Sequence, residues 1–93
     1  MRSIRDALSL RDHRAELCGA VVTLRRPSAL DLIEALEVSA NHPTKLHAWF
    51  VWRHLVEDGV PVFATIDEAL AADAHTVTAI AREVERLYAE GRD

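Results

Sequence analysis

The stretch Thr44-Lys-Leu-His-Ala-Trp-Phe-Val-Trp-Arg-His-Leu-Val-Glu-Asp-Gly59 decides how the rest of the chain is read. No proline or glycine interrupts it before Gly59, Thr44 is a suitable N-cap, and glycine is the commonest left-handed stop. It reads as one helix running to about Asp58. Ala48 to Trp52 are apolar without a break, which a surface helix does not show. At 100° per residue, Ala48, Trp49, Val51, Trp52, Leu55 and Val56 make a broad core face, and both tryptophans are assigned to it. The other side carries His47, Arg53, His54, Glu57 and Asp58, with Leu46 and Phe50 in its middle. Two arrangements satisfy this pattern. Either another element, such as the basic N-terminal arm, covers Leu46 and Phe50, or they form an exposed apolar pair rimmed by charge. In the second case Leu46, Phe50, Arg53, His54 and Glu57 are the candidate protein-binding residues.

Working outward toward the C-terminus, Val60-Pro61-Val62-Phe63 is extended, as a buried connector or an edge strand. Thr65 followed by Glu68 is a capping box, predicting a short helix over Ile66–Ala71. Asp73 caps a last helix from Ala74 to about Glu90, stopped by Gly91. Its apolar stripe is Val77, Ile80, Ala81, Val84, Leu87 and Tyr88, and Arg82–Glu85, Glu83–Arg86 and Arg86–Glu90 have the spacing of pairs on its wet face. Toward the N-terminus, Ser28 opens a helix, with Asp31 at its positive end. Ala29, Leu32, Ile33, Leu36 and Ala40 fall on one side, taken as the core side, and Asp31, Glu34, Glu37 and Asn41 on the other, taken as solvated. His42-Pro43 ends it. Val21, Val22 and Thr23 are β-branched, and Gly19 separates two apolar runs, so Ala15–Leu17 and Val21–Arg25 read as a hairpin turning at Cys18-Gly19. Ser3–Ser9 has the spacing of a short helix, with Ile4 and Leu8 on one face. The expectation is a mainly α, small single-domain fold over residues 1–93, with three to four helices and a short N-terminal β-hairpin. It divides into a basic arm (1–14), the hairpin (15–26) and a helical body (27–91).

A chain of 93 residues makes one domain, and 49% apolar with 28% charged residues is ordinary for a folded one. The single cysteine, Cys18, excludes an intramolecular disulfide. With no leader pattern and no long apolar run, the chain reads as cytoplasmic, without membrane association. Charge is uneven: six arginines face three acids in residues 1–26, while five bases face twelve acids in the remainder. Such an acidic body repels nucleic acid, and the basic arm is expected to meet that body or an acidic partner.

Chemistry-bearing patterns are scarce. His47 and His54 sit about 10 Å apart along a helix axis, too far to share a metal. His13 and Cys18 have no third group to orient them, and Asp31, Glu34 and Glu37 read as a solvated acidic face. No phosphate-binding glycine loop or nucleophile elbow occurs. Arg82 and Arg86 alternate with Glu83, Glu85 and Glu90, which argues against a DNA-reading helix. Catalytic, cofactor and metal residues are therefore not expected, and the chain reads as a protein-binding module and not an enzyme.

The run Val22-Thr-Leu-Arg-Arg-Pro-Ser-Ala-Leu-Asp-Leu-Ile-Glu-Ala35, extended chain entering a capped helix, resembles the opening of the small tail assembly chaperones of long-tailed phages and prophages. Gly59-Val-Pro-Val-Phe-Ala-Thr-Ile-Asp-Glu-Ala-Leu70 is also similar, as is the ending with Ile80, Val84, Leu87 and Tyr88 before Gly91. The resemblance spans roughly residues 20–91 and rests on pattern, with no diagnostic residue. It implies a helical protein that binds the tape-measure and tail-tube proteins during virion assembly, keeps the tape measure soluble and then leaves. It also implies that this chain corresponds to the short form, where relatives have a longer, frameshifted one. Weak self-association into a homo-oligomer would suit such a role. The other class consistent with the residues is a small regulatory protein-binding module, antitoxin-like or anti-repressor-like, using the basic arm.

Overall fold

The computed structural model describes residues 3–5, 12–39 and 42–90, with the Ser39 side chain left aside. It contains two hairpins joined into one sheet. The strands are β1 (Asp12–Leu17), β2 (Ala20–Arg25), β3 (Leu55–Glu57) and β4 (Val60–Pro61); the helices are α1 (Ala29–Ser39), α2 (Pro43–His54), α3 (Ile66–Leu70) and α4 (Ala74–Glu90). The sheet runs β1-β2-β3-β4, antiparallel throughout. The fold is therefore a mixed one, four antiparallel strands with helices, and not the mainly α fold with a lone hairpin that the sequence suggested.

The correction arises within Leu55–Glu57. The helix expected to run to Asp58 stops at His54, where Leu55 turns extended (φ −74°, ψ 118°). Thr23 then pairs with Val56, and Leu24 with Leu55. Asp58-Gly59 is a two-residue hairpin turn, not a helix stop, with φ of 52° and 78°. The first hairpin turns the same way, Cys18 and Gly19 having φ of 53° and 78°. Positive φ at both central residues is the mirror-image turn whose twist matches paired strands, and Asp-Gly is among its strongest sequence signals. Glu57 faces Val60 and Val56 faces Pro61, so the second hairpin is short and its proline lies on a sheet edge. The first hairpin is longer than expected: β1 begins at Asp12, inside the segment read as a basic arm.

Helix boundaries elsewhere follow local chemistry. Pro43, at the first position of α2, needs no N–H there, and His42 occupies the N-cap with extended backbone and no side-chain bond, so the helix starts before Thr44. The Thr65 hydroxyl accepts from the Glu68 N–H at 3.3 Å, while the Glu68 carboxylate accepts from Ala64, one residue before its usual capping-box partner. Asp73 accepts from both the N–H and the hydroxyl of Thr76, at 3.0 and 2.8 Å, and these bonds hold its carboxyl below the usual range. The predicted α4 stripe, Val77 through Tyr88, is buried in full, and it packs with Trp49, Phe50 and Val51 of α2 and Leu24 of β2 in one core. Ile4 and Arg5 are helical; the rest of the expected Ser3–Ser9 helix, with Leu8, lies outside the described residues, as do Ala40, Asn41 and Gly91.

A Cβ at Gly59 would meet no atom within 4 Å, so alanine there carries only the cost of left-handed backbone. Gly59→Ala is expected to lower stability by about 1 kcal/mol without changing the far-ultraviolet dichroism, as read by urea unfolding.

Candidate protein-binding surface

The surface is set by how α1 is seated. Ser28 and Asp31 form a reciprocal cap: the Ser28 N–H donates to Asp31 Oδ2 at 2.9 Å, and the Asp31 N–H donates to Ser28 Oγ at 3.2 Å. Asp31 is 0% exposed. Arg53 Nε donates to Asp31 Oδ1 at 2.8 Å, Arg25 reaches Oδ2 at 3.3 Å, and the other arm of Arg53 meets Glu34 at 3.0 Å. Burial works against the charged form of Asp31, but the Ser28 N–H and the two guanidinium groups outweigh it and hold the carboxyl below its ordinary value. Asp31 and Glu34, expected in solvent, thus face the body, while Glu37 is exposed as expected and Leu32 still packs on the core, so α1 is turned from the orientation expected from the sequence.

The next residue along α2 extends the polar seam. His54 is fully buried; its Nδ1 lies 2.7 Å from the Arg25 carbonyl and its Nε2 meets the Tyr88 hydroxyl. A carbonyl only accepts, so Nδ1 carries the hydrogen and Nε2 accepts from Tyr88. Burial pushes His54 down to about 4 and raises the Tyr88 phenol, so both are neutral at pH 7. Arg53 also lies over the Trp49 ring at 5.8 Å.

The candidate residues from the sequence do not form one patch. Phe50 is buried, packed on Trp49 and on Tyr88 at ring-centroid distances of 5.8 and 4.9 Å. Tyr88 of α4 supplies part of its cover; most of the N-terminal arm expected to cover it lies outside the described residues. His54 is internal and Arg53 is committed to carboxylates. Glu57 is exposed at the end of β3, while Leu46 is half-buried. Of the tryptophans, Trp49 is core, and Trp52 is half-buried with its indole N–H 3.4 Å from the Ala64 carbonyl.

The apolar surface lies instead on α1. Leu30, Ile33 and Leu36 are 56%, 57% and 67% exposed. Beside them α1, α2 and α4 enclose an open cleft of about 640 Å³, lined by Leu32, Ala35, Leu36, Leu46, Phe50, Tyr88 and Ala89, with Arg82, Glu85 and Arg86 also in its wall. Leu46 and the edge of Phe50 therefore do contribute, as part of a cleft. The sequence placed Leu32, Ile33 and Leu36 on one stripe and aimed it inward; Leu32 does pack against the core, but Ile33 and Leu36 face out. The signal that could have corrected this is the Asp58-Gly59 hairpin dipeptide, which ends α2 before Glu57 and so takes from Arg53 its only acidic partner at helical spacing.

Around α4 the acids pair mostly across the fold: Glu83 with His13 at 2.9 Å, Glu85 with His47 at 3.4 Å, Glu90 with Arg26 at 3.3 Å. Among the described residues, the Arg86–Glu83 pair at 3.0 Å is the one expected helix pair that forms. Cys18 is exposed in its turn, away from the strand residue His13. Among the described residues no group of three or more His, Cys, Asp or Glu could hold a metal ion, and no helix is long and apolar enough to cross a membrane. Comparison with protein families, with curated proteins and with solved structures gives no match.

Two predictions follow from the polar seam. Asp31→Ala leaves two guanidinium groups around an empty carboxylate site, and is expected to cost about 3–5 kcal/mol in denaturant unfolding, against about 1 kcal/mol or less for Glu34→Ala. His54 is protonated near 6.5 in the unfolded chain but only near 4 when folded. Between those values the unfolded chain binds more protons, so stability falls as pH drops from 6.5 to 4, by about 3 kcal/mol in all. His54→Gln should flatten this slope in urea titrations across that window, whereas loss of the Asp31 contribution sets in only at lower pH.

Proposed function

We propose that this chain is a non-catalytic tail assembly chaperone of a phage or prophage, binding the tape-measure and tail-tube proteins in the host cytoplasm during virion assembly. The observation that carries the reading is the seating of α1, whose Asp31 and Glu34 are held inward while Leu30 and Ile33 stand in solvent beside an apolar cleft. Apolar side chains of this size on one helix face, next to a groove between two others, suit the capture of an amphipathic helix by anchors at three- and four-residue spacing. The resemblance over residues 20–91 implies a client of that kind, since a tape measure is a long helical protein that must be kept soluble. Arg82, Glu85 and Arg86 in the cleft wall supply polar partners at the edge of such an interface. The excess of acids in residues 27–93 favours solubility of the loaded complex and disfavours nucleic acid as a partner.

Co-expression with the tape-measure protein of the same phage or prophage is expected to raise the soluble yield of that protein severalfold. Ile33→Asp should remove the gain while preserving helical dichroism and melting behaviour, because Ile33 is already in solvent. An unchanged client yield with the wild-type chain would reject the proposal, and an undiminished yield with Ile33→Asp would remove α1 from the interface.

A further inference from the structure

We infer that the outer edge of β1, which no described strand pairs with, is a self-pairing edge, through which two copies of this chain join their sheets antiparallel about Ala15. The two outer edges of the sheet differ. β4 is two residues long and contains Pro61, a blunted edge. β1 is six residues long and lacks proline. Leu17 and Ala20 flank a two-residue turn and so exchange hydrogen bonds across the hairpin. Ladder bonds alternate, so His13, Ala15 and Leu17 bond to β2, while Asp12, Arg14 and Glu16 direct their N–H and C=O groups to the outer edge.

Charge on that edge selects both partner and register. The side chains of Arg14 and Glu16 lie on the exposed face of the strand, opposite Thr23 and Val21, and neither makes an ion pair among the described residues. Two identical antiparallel strands meet about a two-fold axis perpendicular to the sheet. Centring it on Arg14 sets Arg14 against Arg14 and Asp12 against Glu16; centring it on Glu16 sets Glu16 against Glu16. Centring it on His13 pairs Asp12 with Arg14 but leaves Glu16 beyond the paired strand. Centring it on Ala15 uses nearly the whole of β1 and places Arg14 opposite Glu16 twice. In that register both pairs are hydrogen-bonded ones, each completing the outward backbone groups of its residues. One pair of strands covers far less than a standard stable interface, so the dimer is weak and concentration-dependent. This inference is independent of the chaperone reading and uses a different surface.

Sedimentation velocity from about 10 μM to about 1 mM at low salt tests it. The wild-type chain should shift from monomer to dimer across that range. Arg14→Glu and Glu16→Arg should each weaken dimerisation about tenfold by setting like charges opposite, and the double variant should restore it. The Ala15 pair is the non-hydrogen-bonded kind, with Cα atoms about 4.5 Å apart, within disulfide reach. Ala15→Cys in a Cys18→Ser background should therefore give a cross-linked dimer on mild oxidation. A wild-type chain that stays monomeric overturns the inference. So do single variants that dimerise as the wild type does, a double variant that fails to recover, or dimerisation that is lost in Ile33→Asp.

Discussion

A carboxylate withdrawn from water has to be compensated, and in this fold Asp31 is the group whose compensation positions the surrounding elements. Its partners come from its own helix cap, from the end of β2 through Arg25, and from the last turn of α2 through Arg53. Three segments therefore converge on one side chain. A buried ion pair of this kind adds little net stability over apolar packing, but the geometry it requires is specific, because removing either partner leaves an uncompensated charge. The seam continues through His54, which joins the backbone of Arg25 to Tyr88 on α4. Every described buried side-chain polar atom has a hydrogen-bond partner, as the low dielectric of an interior demands.

This arrangement explains why the molecule carries an apolar surface at all. Of the apolar residues in α1, only Ala35 is fully in the core, with Leu32 and Val38 packed at its margin. The helix is oriented by electrostatics more than by burial of its own large side chains, and Leu30, Ile33 and Leu36 are left outside. α4 is the opposite case, seated by a continuous apolar stripe, with acids reaching outward to His13, His47 and Arg26. The cleft lies where a helix of one kind meets a helix of the other, so its walls are apolar on both sides while its edge is charged.

What was legible in the sequence was local. The caps at Ser28, Thr65 and Asp73, the turn at Cys18-Gly19 and the α4 stripe each depend on residues within a few positions of one another. Leu55-Val56-Glu57 was misread because apolar residues there satisfy a helical face and a strand equally well. The choice rests on Thr23 and Leu24, remote in the chain, which offer a ladder edge that only a strand can complete. The Asp58-Gly59 dipeptide was a usable sign of that hairpin, since glycine after a helix and glycine in a mirror-image turn share the same positive φ.

The sequence by itself determined the starts of α1, α3 and α4, the turn of the first hairpin and the period of α1, because hydrogen bonds between near neighbours and side-chain spacing specify these without reference to the remainder. It did not determine the phase of α1. Leu32, Ile33 and Leu36 on one side and Asp31 and Glu34 on the other permit either face to turn inward. Tertiary structure decided it by placing two guanidinium groups where only a carboxylate could be buried beside them. The same packing buried Phe50 and His54, by seating α4 against them, and left Leu46 with Phe50 as part of a cleft wall. Which way a helix faces is a property of what it meets, and for α1 that is Arg25 and Arg53.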